Sequence, residues 1–404
     1  MQKVYIVSAK RTAIGGFMGS LSTMHPADYA ATTLKAALDS ANLKTDSIDE
    51  VIVGNILPAG LGQGVARQVS IKAGLPQKTP AYALNMACGS GMKAMMNAFS
   101  QLQLNQAEVI AAGGTESMSK APYILPDKTR SGIKMGGFNV KDHMIDDALM
   151  DAFKPQHMGI TAENIAEKYN LTRAAQDAFA AESQRRAIVA QDGGRFKDEI
   201  VPITVKERKR EFVFEADEHI NRKSNEETLA KLRPAFKKDG TVTAGNASGI
   251  NDGASFLILA SEAAIKQYNL KPLAEVIGLG QAGVDPDFMG LGPVPAIEKA
   301  LDFSGLKLSE IDLIELNEAF AAQSLGVLKG LEAAHDISVA DLMTKTNLNG
   351  GAIALGHPVG ASGSRIVVTL LHEMMKRDVK HGLASLCIGG GMGTAVILKK
   401  MEAK

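Results

Sequence analysis

The chain has 404 residues with 44 basic and 44 acidic side chains, so its formal net charge is zero. Balanced charge provides no overall field for binding nucleic acid or an anionic membrane surface. Hydrophobic residues make up 45% of the sequence, which is typical of a globular protein, and this length predicts two or three folding units. The sequence therefore excludes no enzyme class but gives no support for a nucleic-acid or membrane partner.

The two cysteines, Cys88 and Cys387, are far apart in the sequence and form a poor basis for a disulfide framework, which favours a reducing compartment. Neither has a second cysteine nearby, so the sequence predicts no metal site. Residues 1–8 resemble neither a secretory signal nor a transit peptide, and no apolar run approaches the roughly 20 residues that span a bilayer. We therefore expect a cytoplasmic protein.

Predicted strands and helices alternate through the first 118 residues. Apolar runs predict strands at residues 4–7, 48–55, 81–87 and 107–117, with residues 11–16 as the turn after the first strand. Apolar residues at helical spacing predict helices at residues 27–41, at residues 66–73, and from Ser90 onwards. This alternation favours a largely parallel sheet that is covered by helices on both faces.

Residues 119–248 lose this regular alternation. A stretch rich in proline, glycine and charge (121–144) precedes predicted helices at residues 161–169 and 172–191. Thr172 is a good N-cap because its hydroxyl can accept from a free N–H of the first turn. The basic run at residues 206–210 is more typical of a solvated face than of a phosphate site. We interpret residues 119–248 as an inserted loop domain.

The pattern of the first part recurs after residue 273. Residues 274–278 parallel the first strand, residues 308–317 resemble residues 47–55, residues 349–363 precede a predicted helix at 364–375 as residues 85–91 precede theirs, and residues 383–391 take the place of residues 109–114. An internal duplication is the economical explanation. We predict an N-terminal half (1–118 and 249–272) and a C-terminal half (273–404), with the active site between them.

Four motifs fall at equivalent strand ends of the two predicted halves. They contain Cys88 in Asn-Met-Ala-Cys-Gly-Ser-Gly, Asn317 in Asn-Glu-Ala-Phe, His357 in Gly-His-Pro, and Cys387 before Ile-Gly-Gly-Gly. A cysteine at a helix N-terminus lies where the helix dipole favours a thiolate nucleophile. His357 can accept the proton of Cys88, and Cys387 can remove a proton beside a thioester carbonyl. The glycine run can supply N–H groups to an oxyanion hole.

Each of these residues also has a plainer interpretation. Cys88 alone could be a small packed side chain, and His357 alone could be structural. A cysteine–histidine pair would also suit a thiol protease, but a protease does not need the second cysteine and its glycine run. Residues 389–393 are rich in glycine, but no long helix follows them, so the context of a dinucleotide-binding loop is missing.

Together the motifs resemble the signature blocks of the thiolase family over almost the whole chain. The resembling segments are residues 85–92, 113–118, 246–253, 289–293, 317–321, 350–363 and 387–393. Several independent blocks in the right order are a specific signal. The resemblance implies a duplicated five-layered α/β/α/β/α fold with an inserted loop domain, and a homotetramer or homodimer.

The resemblance also implies a role for each site residue. Cys88 would carry the acyl group, His357 would activate Cys88, and Cys387 would deprotonate acetyl-CoA. Asn317 would hold the catalytic water, and the Gly389 amide would form an oxyanion hole with that of Cys88. Coenzyme A thioesters would be substrates rather than cofactors. Their predicted contacts are Ser248, His157, Met158, Phe236, Met289, Ala319 and Phe320, with Arg222 at the adenine and phosphate end.

Within the family, the segment Gln156-His157-Met158-Gly159 and the loop at residues 132–153 resemble the short-chain members. This predicts reversible Claisen condensation of two acetyl-CoA to acetoacetyl-CoA and CoA through an acyl-cysteine intermediate. The alternative is a 3-ketoacyl-CoA thiolase of fatty-acid breakdown with a broader chain-length range. Decarboxylating condensing enzymes share the fold but use Cys-His-His or Cys-His-Asn sites. A non-catalytic acyl-CoA-binding relative would be expected to lack a reactive residue.

Overall fold

A mixed β-sheet forms the centre of the computed structural model, which describes residues 2–402. The strands in chain order are β1 (Val4–Thr12), β2 (Gly15–Gly16), β3 (Glu50–Gly54), β4 (Ala81–Leu84), β5 (Val109–Ser117), β6 (Tyr123–Ile124), β7 (Lys141–Asp142), β8 (Ile200–Val201), β9 (Ile203–Lys206), β10 (Glu211–Phe214), β11 (Asn251–Ser261), β12 (Ala274–Gly283), β13 (Leu313–Leu316), β14 (His381–Ile388) and β15 (Met392–Lys400). The predicted domain limits at residues 1 and 404 lie outside the described residues, and the three predicted domain boundaries stay predictions.

The helices in chain order are α1 (Pro26–Ser40), α2 (Val65–Lys72), α3 (Ser90–Gln103), α4 (Met158–Lys168), α5 (Arg173–Asp192), α6 (Glu226–Ala230), α7 (Glu262–Gln267), α8 (Pro293–Ser304), α9 (Ala321–His335), α10 (Val339–Lys345), α11 (Ala352–Leu355) and α12 (Val359–Arg377). Six of them, α1–α5 and α12, lie where the sequence predicts a helix, with shifted ends, whereas α6–α11 were not predicted. Within the described part of the chain, no helix is long and apolar enough to cross a membrane.

The order of the strands shows the duplication directly. Across the sheet the order is β13-β14-β15-β12-β1-β11-β5-β3-β4. On one side β1, β11 and β5 pair antiparallel, and β3 lies parallel to β5 and β4. On the other side β12, β15 and β14 pair antiparallel, β13 lies parallel to β14, and a parallel bridge joins Ile314 to Thr346. The two sides mirror each other about the β1–β12 pair, which confirms the predicted duplication.

The sheet is mixed, so the prediction of a largely parallel sheet is wrong. A parallel neighbour needs a crossover connection. β15 instead follows β14 through a tight turn, in which Gly390 and Gly391 both have a φ of +84°. The first strand also continues through Thr12, which was predicted as part of a turn, and α12 begins at Val359 rather than at residue 364.

The helices and the two sides of the sheet form five layers. α1 and α2 cover the outer face of the first half, where Leu34, Val69 and Phe256 belong to one apolar cluster. α8 and α9 cover the outer face of the second half. α3 and α12 pack against each other between the halves, in an apolar core that receives strands from both sides. The five-layered fold that the resemblance implied is therefore present.

Residues 119–248 contain short strands and the helices α4, α5 and α6. The predicted cap of α5 is confirmed, because Thr172 Oγ1 accepts from the Ala175 N–H at 3.1 Å. The basic run connects β9 to β10, and its side chains are exposed or partly exposed. Arg210 in that run pairs with Glu207 at 2.7 Å, which is a common arrangement for a solvated charge.

Candidate active site

Cys88 lies in a short loop between β4 and α3 that is held by its own side chains. Ser90 Oγ accepts from the Met86 N–H at 2.8 Å and donates to the Ala87 carbonyl at 2.6 Å. Asn85 Oδ1 accepts from the Ala87 N–H at 2.9 Å. Ala87 has a φ of +42°, a left-handed conformation that costs a residue with a side chain about 1 kcal/mol. Local hydrogen bonds thus maintain a strained turn that places Cys88 at the start of α3.

The N-terminal ends of α3 and α12 meet closely because glycines line their contact. A Cβ at Gly91 would lie 2.7 Å from Ser364 Oγ, and a Cβ at Gly363 would lie 2.5 Å from a backbone nitrogen of α3. Cys88 stands two residues before α3, and His357 stands two residues before α12. The approach of the helices therefore brings the Cys88 loop of one half to the His357 loop of the other.

His357 is buried, and one of its ring nitrogens is held by its own loop. Its Nδ1 lies 2.6 Å from Ser362 Oγ, and the Ser362 hydroxyl donates to the Pro358 carbonyl at 3.0 Å. With the Ser362 hydroxyl directed at Pro358, Nδ1 carries the hydrogen and Nε2 is the free ring nitrogen, which has no hydrogen-bond partner within residues 2–402. Burial, and secondly the charge of Arg365, lower the pKa of His357 to about 4. The neutral ring can accept a proton at Nε2.

Cys88 holds its proton more tightly than an ordinary cysteine. Burial raises the pKa of the Cys88 thiol to about 11, whereas hydrogen bonds from the backbone N–H groups of Gly389 and Cys88 act in the opposite direction. The helix N-terminus was expected to favour a thiolate, but desolvation has the larger effect on the pKa of Cys88. These contacts bring Gly389 and Cys88 together as the predicted oxyanion hole requires. A thiol in this state needs a base before it can attack a thioester.

Cys387 is the second-last residue of the buried strand β14 and is 1% exposed. Burial, and secondly the sulfur of Cys88, raise the pKa of the Cys387 thiol well above its usual value. Cys387 belongs to a cluster of apolar side chains that includes Met158 and Met289. The two cysteines, predicted at equivalent strand ends, are thus close enough to influence each other's ionisation.

Asn317 follows β13, beside the strand that carries Cys387. Its backbone N–H donates to the Ser385 carbonyl at 3.0 Å. Its side chain is fully buried, and neither Oδ1 nor Nδ2 has a hydrogen-bond partner in the described part of the chain. Since buried polar groups are nearly always paired, this amide is suited to bind a water molecule or a polar group of a substrate.

The structure brings most of the predicted coenzyme A contacts together. Met158, Met289, Ala319 and Phe320 share one apolar cluster with Cys387, and Phe236 packs against it. The His157 ring stacks on Phe236 with 4.4 Å between ring centroids, and the Ser248 N–H donates to the Ala319 carbonyl at 2.9 Å. We call these seven residues and Cys387 the pocket cluster.

Arg222 is placed differently from the pocket cluster. Its exposed guanidinium forms hydrogen bonds of 2.5 and 3.0 Å with Asp192 at the end of α5. Contact of Arg222 with the adenine and phosphate end stays a prediction.

Within the pocket cluster, burial lowers the pKa of His157, so its ring is neutral near pH 7.

Sequence reasoning missed Glu116, although it lies in one of the signature blocks. Its carboxylate is fully buried and accepts from the N–H groups of Ile56, Leu57 and Gly360 at 2.9, 3.2 and 3.0 Å. Burial raises the pKa of Glu116 to about 7, while those N–H groups lower it. A lone acidic residue at the end of a predicted buried strand was the signal that could have identified it.

The inserted segment also borders the site. The apolar cluster against which Cys88 packs contains Ile56, Leu57 and Met118 from the first half, Val359 from the second half and Met144 from the insertion. We call this group the acyl-side cluster. Cys88 itself is partly exposed, and side chains from three separate segments pack beside it, which contributes to the desolvation of its sulfur.

Comparison with known proteins identifies the family that the sequence motifs resemble. The family description "Thiolase, N-terminal domain" matches residues 4–263, and "Thiolase, C-terminal domain" matches residues 270–400. The acetyl-CoA acetyltransferase of Pseudomonas aeruginosa is 53% identical over 99% of this chain and 100% of its own length. That of Escherichia coli is 51% identical over the full length of both chains.

Solved structures lead to the same family. The acetyl-CoA acetyltransferase of Bacillus anthracis is 43% identical and superposes with a TM-score of 0.95 over 99% of both chains. The human mitochondrial 3-ketoacyl-CoA thiolase in complex with CoA is 43% identical, with a TM-score of 0.92 over 99% of this chain and 98% of that one. The fold, the site and the similarity over the whole length agree: the chain belongs to the thiolase family.

Proposed function

We propose that the protein is an acetyl-CoA C-acetyltransferase, which condenses two acetyl-CoA reversibly to acetoacetyl-CoA and CoA. The observation that carries the proposal is the proximity of Cys88 to Cys387. The Nε2 of His357 and the amide of Asn317, which have no hydrogen-bond partner within residues 2–402, add a proton acceptor and a polar contact to the proposed site. The full-length relatives that bear the name acetyl-CoA acetyltransferase support it.

In the first half-reaction, the Cys88 sulfur attacks the thioester carbonyl while its proton passes to His357 Nε2. A bond forms between the sulfur and the acyl carbon, the bond from that carbon to the CoA sulfur breaks, and CoA leaves with the proton from His357. The N–H groups of Gly389 and Cys88 stabilise the negative oxygen of the tetrahedral intermediate. The product is an acetyl group on Cys88.

In the second half-reaction, the ionised form of Cys387 acts as a base on the methyl group of another acetyl-CoA; the raised pKa makes this form a small fraction near neutral pH, in equilibrium with the thiol through loss of a proton to water. The resulting carbanion attacks the acetyl carbon on Cys88, a carbon–carbon bond forms, and the bond to the Cys88 sulfur breaks. The proton on Cys387 then passes to that sulfur and restores both groups. Asn317 and its water stabilise the enolate oxygen. A buried thiolate with a raised pKa is a strong base.

This chemistry requires no separate cofactor, since coenzyme A thioesters are the substrates. We place the reaction in fatty-acid metabolism in the cytoplasm and propose a homotetramer or homodimer. The insertion exposes large apolar side chains that a second copy could cover: Tyr123 (71%), Leu125 (53%), Met135 (94%) and Phe153 (71%).

Thiolysis of 3-ketoacyl-CoA substrates of increasing chain length, with free CoA, tests the proposal. We expect strong preference for acetoacetyl-CoA, because His157 stacked on Phe236 restricts the pocket cluster. Activity that extends to long chains would favour the alternative, a 3-ketoacyl-CoA thiolase of fatty-acid breakdown, which the similarity to the human enzyme also supports. No activity at any length would contradict both and favour a non-catalytic acyl-CoA-binding protein.

A further inference from the structure

Glu116 connects the two halves of the molecule beside the site. It lies near the end of β5 in the first half, and its carboxylate is fully buried. One carboxylate oxygen accepts from Asn55 Nδ2 at 2.9 Å and from the Leu57 N–H at 3.2 Å. The other accepts from the Ile56 N–H at 2.9 Å and from the Gly360 N–H, in the second half, at 3.0 Å.

Gly360 is part of the structure that carries His357. It is the second residue of α12, three positions after His357, and its N–H is one of the donors that a helix leaves free at its N-terminus. A Cβ at Gly360 would lie 2.5 Å from a Glu116 carboxylate oxygen. The negative charge also lies where the helix dipole favours an anion. Glu116 thus caps α12 from the opposite half.

The other partners of Glu116 form part of the wall around Cys88. Ile56 and Leu57 belong to the acyl-side cluster, as does Val359 of α12. The carboxylate therefore fixes both the loop that packs near the sulfur and the helix end that carries His357.

We propose that ionised Glu116 is a positioning residue, which ties the His357 loop to residues 55–57 and so sets His357 against Cys88 for acyl transfer. This role rests on the proposed function. Glu116 forms none of the hydrogen bonds described above with the sulfur or the imidazole. Its charge contributes to the raised pKa of Cys88, but we assign its effect on acyl transfer to the loops that it holds.

The charge of the carboxylate is essential to this role. Every partner described above is an N–H donor, so a protonated or amide side chain would place a donor against another donor. The titratable groups around Glu116 are Asp252 on β11, whose charge raises the pKa of Glu116, Tyr29 on α1, whose hydroxyl donates to the Glu116 carbonyl at 2.7 Å, and Cys88. Below about pH 7, protonation of Glu116 should therefore slow acylation of Cys88.

The test is the rate of acetyl-enzyme formation with acetyl-CoA, measured by rapid quench and intact mass from pH 5.5 to 8.5. We expect the wild-type rate to rise through a midpoint near pH 7, which His357 with a pKa of about 4 cannot produce. At every pH, Glu116→Gln should form the acetyl-enzyme as slowly as wild-type protein in which Glu116 is protonated. Its rate at pH 8.5 should be lower by on the order of 100-fold, the effect of a small misplacement of reacting groups, and it should lack the midpoint.

Glu373→Gln is the matched control. Glu373 is also buried and also holds α12, but at the far end of the helix, where it accepts from Asn349 and Arg195. This variant should keep the midpoint near pH 7. Glu116→Asp, which retains a carboxylate, should recover part of the lost rate, whereas a purely structural defect would not follow the charge.

A wild-type profile without a midpoint near pH 7 would overturn the role of Glu116, and this measurement does not depend on whether a variant folds. The role would also be overturned if Glu116→Gln acetylated at the wild-type rate or kept the midpoint near pH 7. The same holds if Glu373→Gln lost that midpoint. A wild-type protein that takes up no acetyl group at any pH would overturn the proposed function and the role together.

Discussion

At the scale of single residues, desolvation determines the state of the reacting pair. The pKa of Cys88 is raised to about 11, and that of His357 is lowered to about 4. Both groups are therefore neutral across the physiological range. The difference between these two pKa values disfavours a preformed thiolate–imidazolium pair and favours proton transfer during the attack itself. Cys88 differs in this respect from cysteines whose surroundings lower the pKa.

Alkylation of Cys88 by iodoacetamide should show this directly. Because only the thiolate reacts, the rate should increase by about tenfold for each unit of pH from 6 to 9. Cys387→Ala is the background in which to measure it, since it leaves Cys88 as the sole cysteine. A rate that reaches a plateau below pH 8 would show a lowered pKa and contradict the effect of burial.

The two cysteines should separate the half-reactions. Cys88→Ala removes the acyl carrier, so we expect neither an acetyl-enzyme nor turnover. Cys387→Ala keeps the nucleophile and should still be acetylated, slowly, while losing condensation. Intact mass after incubation with acetyl-CoA, together with the rate of acetoacetyl-CoA formation, measures both effects. Normal turnover by Cys387→Ala would show that Cys387 is not the base.

At the scale of secondary-structure elements, the contact between α3 and α12 decides the geometry of the site. Gly91 and Gly363 allow the two N-terminal ends to approach to backbone distance. Helix ends without such glycines would stay farther apart, because interaxial distances depend on the side chains at the contact. The N-terminal end of each helix is also the positive end of its dipole, so the two ends together favour negative charge between them.

Gly363→Ala should therefore separate the Cys88 and His357 loops. The added Cβ would lie 2.5 Å from a backbone nitrogen of α3, which cannot rotate away. We expect a loss of about 1–3 kcal/mol in the free energy of unfolding, as in other overpacked cores, and a fall in acylation rate. Gly137→Ala is the control, since a Cβ there meets nothing within 4 Å and should change neither the melting temperature nor the rate.

Where elements were predicted correctly, the signals were local in the sequence. The start of α3 at Ser90 and the Thr172 cap of α5 follow from apolar spacing and from cap chemistry. α12 begins earlier than predicted, since its first turns contain Gly360 and Gly363, which weaken a helical pattern but serve close contacts. The seven pocket contacts came from the family resemblance, and no sequence periodicity indicates them.

The role of Glu116 and the raised pKa of Cys88 could not be predicted in the same way. Glu116 bonds to residues 60 and 244 positions away, and the desolvation of Cys88 comes from segments that are distant in sequence. The sheet is mixed because β11 and β15 pair antiparallel with β5 and β14. The alternation of strands and helices in the sequence does not indicate the direction of each strand. Such properties arise from long-range packing.

At the scale of the whole molecule, the inserted segment contributes side chains near the proposed site, where they can affect which substrates bind. The two halves supply Cys88, Cys387, His357 and Asn317, while the insertion supplies Met144 near the sulfur and Met158 in the pocket cluster. Substrate range can therefore change through the insertion without change in the reacting groups. Loops carried on a rigid scaffold commonly have this function.

Met144→Ala should broaden the range of acyl chains. Met144 is buried in the acyl-side cluster, so its removal leaves space beside Cys88. We expect kcat/KM for a six-carbon 3-ketoacyl-CoA to rise relative to that for acetoacetyl-CoA by about tenfold, the discrimination that one or two methylene groups provide in an apolar pocket. Met135→Ala, in the same segment but 94% exposed, should leave the ratio unchanged. An unchanged ratio in Met144→Ala would remove the insertion from chain-length selection.

The mirror arrangement about the β1–β12 pair places Cys88 and His357 at equivalent points, each two residues ahead of its helix. A symmetric dimer of identical half-length chains could present only the same residue from both sides of such a junction. Joining two halves in one polypeptide removes that restriction. One half can then carry Cys88, the proposed nucleophile, and the other His357, its proposed proton acceptor, which two identical half-length chains could not do at one junction.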